Sequence, residues 1–188
     1  MAQVIRSRLF CGASLKFLGL VALMAALGPM FLSRAADQSL EYQVKATYLL
    51  NFTKFIEWPP GALGGPDSPF NICILGGDRF GGALEQIVSG EVVSGRKVAI
   101  QKIDREPLPR SCQIVFVNTQ AEAFSNPSGL GRGVLTVGEG EAFARNGGMI
   151  GFVIENRRVT FDINRRAAEA AGLRFSSGLL AVAKSVIK

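Results

Sequence analysis

The chain has 188 residues, 48% of them hydrophobic and 19% charged, with a formal net charge of +6 and a pI near 9.6. It has three cysteines and no histidine. The missing imidazole excludes Ser-His-Asp and Cys-His triads, histidine-based zinc sites and histidine acid–base chemistry at once, and no cofactor or metal is expected.

The first element is a leader. Arg6, Arg8 and Lys16 precede a run of 16 mostly apolar residues, Phe17 to Leu32, which is followed by Ser33-Arg34-Ala35. Basic flank, short apolar core and small-x-small end are the marks of a cleaved secretory signal over residues 1–35. The run is short of the roughly 20 residues a spanning helix needs. Cys11 lies before it and so is not a lipid-attachment cysteine. Cleavage near Ala35-Ala36 predicts an exported mature chain, 36–188, folding as one domain. Without the leader's four basic residues, 17 Lys and Arg face 15 Asp and Glu. No basic stripe remains, and nucleic acid is not an expected partner.

Residues 42–57 have helical spacing. Val44, Tyr48, Phe52 and Phe55 form one stripe, with Leu49 and Ile56 beside it, and Pro59-Pro60 blocks continuation. Most aromatics here are expected in the core. Tyr42 and Trp58, at the ends of the segment, are candidates for an exposed partner or dimer surface. Short apolar runs then alternate with helical segments. Strands are expected at 70–75, 95–103 (half-exposed), 112–118 and 133–139, with helices at Ala83–Val88 and from Glu141. This rhythm predicts a largely parallel sheet flanked by helices. Residues 149–164 hold two strand-like runs around Glu155-Asn156-Arg157-Arg158, a connection so short that it joins antiparallel neighbours. Two further helices are expected, "RRAAEAAGL" and 176–187, the second capped by Ser176 or Ser177. The fold class is therefore a mixed α/β sheet with an antiparallel hairpin near its C-terminal end.

Cys73 and Cys112 remain after export. An even pair in an oxidising compartment is read first as a disulfide, with two reduced core thiols as the alternative. If the first and third strands are neighbours, the bond would join them. "GGDRFGGAL" sits between a strand and a helix, where phosphate loops occur. It lacks Gly-Lys-Ser/Thr and G-x-G-x-x-G, so a tight turn is the simpler reading. "VGEGEAF" is a similar turn, with Glu139 and Glu141 near a helix start. Glu155, Arg157, Arg158 and Asp162, with Arg165 and Arg166, make a charged cluster. It is either a solvated tip with internal ion pairs or the rim of a partner or ligand site. Glu155 and Asp162 could also be weighed as a glycosidase-type carboxylate pair.

Taken together, "YQVKATYLLNFTKFIEWP", "FNICILGGDRFGGAL", "SCQIVFV", "VLTVGEGEAFARNGGMIGFVIENRRVTFDIN" and "AAGLRFSSGLLAVAKSVI" resemble the YfiR family of exported bacterial proteins, from about Glu41 to Ile187. The resemblance implies a regulator, not an enzyme. The family's characterised member is a dimeric periplasmic repressor. It binds the periplasmic region of a membrane-anchored diguanylate cyclase and restrains cyclic di-GMP synthesis, and loss of its disulfides releases the repression. By this resemblance Cys73 and Cys112 form one family disulfide, while that member's second pair has no counterpart here. The expected partner is the periplasmic region of such a cyclase or of a sensor kinase, and a homodimer is expected. The alternative function is a periplasmic small-molecule binding protein feeding a receptor. Its ligand would lie near the glycine turns at the strand C-termini and the arginine-rich hairpin.

Overall fold

The computed structural model describes residues 38–104, 107–118 and 130–188. The leader and its cleavage site lie outside the described residues. Leu40–Lys188 forms one compact unit. Helix α1 covers residues 38–55, and β1 (Ile56–Glu57) continues it. There follow β2 (Phe70–Leu75), α2 (Ala83–Val88), β3 (Val92–Val93), β4 (Arg96–Ile103) and β5 (Cys112–Val117). After these come β6 (Leu135–Glu139), α3 (Glu141–Arg145), β7 (Ile150–Glu155) and β8 (Arg158–Asn164). The chain closes with α4 (Arg165–Ala170), β9 (Arg174–Phe175), α5 (Ser177–Val182) and β10 (Ser185–Ile187).

Eight strands form one sheet in the order β10-β8-β7-β6-β5-β2-β4-β3. The five strands β4, β2, β5, β6 and β7 are parallel. In chain order they run 2-1-3-4-5, the order of flavodoxin-type sheets, whose switch point lies between the first and third strands. The parallel body and the antiparallel β7–β8 hairpin agree with the expected fold class. The hairpin turns on Asn156 and Arg157, both at positive φ (49° and 62°), the backbone a two-residue turn of matching twist requires.

Helix α1 runs antiparallel to the parallel strands across one sheet face. Tyr42 lies at their carboxyl edge against Glu139, and Trp58 at their amino edge against Phe70. Phe52 stacks on Phe152 and meets Phe161 edge-on. The buried face of the helix is Tyr42, Lys45, Ala46, Leu49, Phe52 and Ile56. This corrects the expected stripe: Val44 and Phe55 are exposed, Phe55 at 46%. A pattern drawn from apolar residues alone rotates the helix away from a face that contains a lysine.

The other face carries a smaller cluster of Cys73, Leu75, Cys112, Val115 and Val117. Cys112 and Ile114 have the same parity, so in a regular strand both would point toward α1. The register shifts instead at Gln113, with Asn71 paired to Cys112 and Ile72 to Ile114. This extra residue turns Cys112 to the face of Cys73. Gln113 holds the irregularity: its Oε1 accepts the Asn71 N–H at 2.7 Å and its Nε2 donates to the Ala62 carbonyl at 3.0 Å. The Cys73–Cys112 disulfide forms across it with the Cα atoms 5.8 Å apart.

The C-terminal end departs from expectation. Ser176 does cap α5, accepting the Leu179 N–H at 3.2 Å, but the helix stops at Val182. Residues Ser185–Ile187 then lie parallel to β8, and the Lys184 N–H is used by the Phe161 carbonyl. The open hydrogen-bonding edge of β8 outweighs the weak preference of this segment for helix.

The disulfide closes a loop with a sequence separation of 39 residues, which the chain-entropy relation places at about 4 kcal/mol. The Cys73→Ser/Cys112→Ser double variant should therefore lose a stability of that order in urea unfolding. The same loss should follow when the wild-type chain is unfolded under reducing conditions.

Candidate functional site

The carboxyl edge of the parallel strands is where doubly wound sheets bind ligands, and here it is filled by the protein's own charges. Glu139, last in β6, accepts the Tyr42 O–H at 2.8 Å and pairs with Lys45, which also pairs with Glu41. Arg79 stands 3.7 Å from the other Glu139 oxygen, and both Lys45 and Arg79 lie against the Tyr42 ring. The Lys45 side chain is only 4% exposed and that of Glu139 10%. Burial, then the hydrogen bond to Glu139, pushes the Tyr42 pKa far up.

Beside this cluster the glycine turn after β2 is closed on itself. The Phe80 N–H donates to the Asp78 carboxylate at 2.8 Å, and the Gly76 N–H to the Ile103 carbonyl. Asn118 Nδ2 donates to the Gly77 carbonyl. Lys102 binds Asp78 and Glu85 at 2.7 and 2.8 Å, hydrogen bonds that hold its ammonium pKa well above the usual lysine value. These contacts favour the tight-turn reading of "GGDRFGGAL". On the next turn, the Phe143 ring lies where a Cβ on Gly138 or Gly148 would sit, 2.3 and 2.2 Å from ring carbons. Glycine at both positions is what admits α3 to the sheet.

The hairpin tip also belongs to this edge. Lys184 reaches Glu141 at 3.2 Å and Glu155 at 3.3 Å. Those bonds, Glu141's first, raise the Lys184 pKa, and the Lys184 hydrogen bond lowers that of Glu141. Arg157 and Arg158 are exposed. Asp162 is buried in β8, where its carboxylate accepts the Ser185 O–H at 2.7 Å, so it braces β10 and does not join the rim. Glu155 pairs with Arg158 and Asp162 with Gly151, four rungs away. At about 3.3 Å per rung the two carboxylates stand roughly 13 Å apart, too far for a glycosidase pair. Tyr42 is 2% exposed and belongs to the core, not to the outer surface its position at the segment's end suggested.

A cleft lies at the opposite, amino edge. It has a volume of about 800 Å³ and is lined by Trp58, Pro59, Arg132, Arg165, Arg174 and Phe175 among others. Trp58 is half-buried there, and its indole N–H is buried without a partner among the described residues. The sequence reading singled out Trp58 but not Arg132 or Arg174. Scattered single arginines give no local signal, and only the return of α4 and β9 to this edge gathers them.

The family described as YfiR/HmsC-like matches residues 42–184, from Tyr42 in the buried cluster to Lys184 at the hairpin. The chain belongs to this family. No curated protein matches it. The YfiR/HmsC-like match ends within three residues of the last strand, so it spans both the charged edge and the cleft. No helix among the described residues is long and apolar enough to cross a membrane.

Two outcomes follow from the buried cluster. Glu139→Leu leaves Lys45 buried with Glu41 alone and should cost about 3 kcal/mol, whereas Lys45→Met/Glu139→Leu should cost far less than the two single changes added together. Urea midpoints of the four proteins measure both. In the alkaline range, the raised Tyr42 pKa means its contribution to stability is whole below the ordinary tyrosine value near 10. That contribution is lost as pH climbs toward the folded value. Absorbance titration should show the Tyr42 phenol ionising only as the protein unfolds, a step missing in Tyr42→Phe.

Proposed function

We propose that the protein is a non-catalytic periplasmic regulator of cyclic di-GMP signalling. It binds the extracytoplasmic region of a membrane-anchored diguanylate cyclase, or of a related sensor kinase, and represses its output. The observation that carries this reading is membership of the YfiR/HmsC-like family across residues 42–184. The Cys73–Cys112 disulfide suits an oxidising compartment. Such a regulator acts only through its difference in affinity for two states of the partner. A homodimer is part of the proposal. The exposed hairpin tip, Glu155, Arg157 and Arg158, and the Trp58 cleft are its candidate contact surfaces. Tyr42 and Asp162 support those surfaces from within.

The mature chain, 36–188, should capture the periplasmic region of an inner-membrane cyclase or kinase, and deleting the gene should raise cellular cyclic di-GMP. Capture of no membrane protein together with unchanged cyclic di-GMP would sink the proposal.

A second reading, a small-molecule binding protein, is favoured by the cleft, whose size is in the range of ligand pockets. It places the ligand at the amino edge, opposite to the carboxyl edge expected from the glycine turns. A thermal-shift screen with nucleotides and amino acids discriminates the readings, since a ligand of the native state raises the melting temperature.

A further inference from the structure

Charge is distributed unequally between the two edges of the sheet. At the carboxyl edge Lys45, Arg79, Lys102 and Lys184 each meet a carboxylate. At the amino edge Arg132 precedes β6, Arg165 and Arg166 open α4, and Arg174 lies in β9. Of these only Arg165 has a carboxylate within ion-pairing distance among the described residues, Glu169 at 2.7 Å. All four are exposed. The 800 Å³ cleft and a second of about 380 Å³ share Arg132, and Arg166 lines the second.

We infer that this edge is a docking groove for an acidic polypeptide segment. Three guanidinium groups without counterions repel one another unless a partner neutralises them, and their planar forks match carboxylates in two-bond pairs. Between the cations Trp58, Pro59 and Phe175 give the larger cleft an apolar wall, and Glu57 and Glu169 line it as well. Alternating acidic and apolar side chains satisfy both features. A bilayer surface meets the arginines but cannot fill a concave apolar floor. Glu57 stands opposite Arg174 in the β1–β9 pairing, so a carboxylate is repelled at that end and is drawn toward Arg132 and Arg166. The inference rests on the regulatory reading only in taking the occupant to be a protein.

The test uses the mature chain and a fluorescein-labelled ten-residue peptide of alternating glutamate and leucine, followed by anisotropy. The peptide should bind, its lysine–leucine counterpart should not, and affinity should fall as salt rises and screens the charges. Arg132→Glu/Arg166→Glu should weaken binding about tenfold or more, with an unchanged circular dichroism spectrum. Arg145→Glu, on the exposed side of α3, should leave it as it was. Binding without salt dependence, or equal loss in Arg145→Glu, overturns the inference. So does neglect of the peptide with capture of phosphatidylglycerol vesicles, which moves the surface to a membrane. If the peptide binds as stated but no membrane protein is captured and cyclic di-GMP is unchanged on deletion, the groove stands and the regulatory reading falls.

Discussion

One helix has to cover most of one face of an eight-stranded sheet, and the way α1 is fastened governs the rest. A core of phenylalanines, Phe52, Phe116, Phe152 and Phe161, fixes its position along the strands. Its rotation about its own axis is set by charge. Lys45 is held inside by Glu139 and Glu41, and with Tyr42 it binds the end of β6. A buried ammonium without a carboxylate would cost several kcal/mol, so no other rotation that keeps residue 45 inside is tolerated. At the far end the short β1–β9 pairing and the Trp58–Phe70 contact hold the helix to the amino edge.

The opposite face depends on a single irregularity. Without the extra residue at Gln113, Cys112 would face α1 and could not reach Cys73. The bulge and the disulfide therefore act as one device at the junction of the first and third parallel strands, the place where comparable sheets open a ligand crevice. Here that junction is bonded on one face and, at its carboxyl end, closed by the glycine turn and by Asn118.

These two fastenings divide the molecule's chemistry. The carboxyl edge spends its charges internally, so that the turn after β2, the end of β6 and the hairpin are tied to α1, α2 and the last strand. The amino edge receives α4, β9 and the Trp58-Pro59-Pro60 corner, and among the described residues its Arg132, Arg166 and Arg174 have no carboxylate within ion-pairing distance.

Much of this was legible from residue type and spacing. Near-continuous apolar runs such as "FNICIL" and "CQIVFV", separated by glycine turns, encode buried parallel strands because local alternation and turn chemistry do not need the rest of the chain. The hairpin and the Ser176 cap are local in the same sense, and the two cysteines were expected to bond if the strands that hold them were neighbours. Four features came only with the assembled fold: the inner face of α1, the side to which Cys112 points, the strand at 185–187 and the arginine edge. Each is set by a partner distant in sequence. Glu139 lies 94 residues from Lys45, Gln113 bonds Asn71 from 42 residues away, the free edge of β8 captures the last strand, and Arg132 and Arg174 come to line one cleft only in the folded chain. A long-range hydrogen bond or ion pair leaves no periodic trace in a chain, and that is why tertiary structure alone decided them.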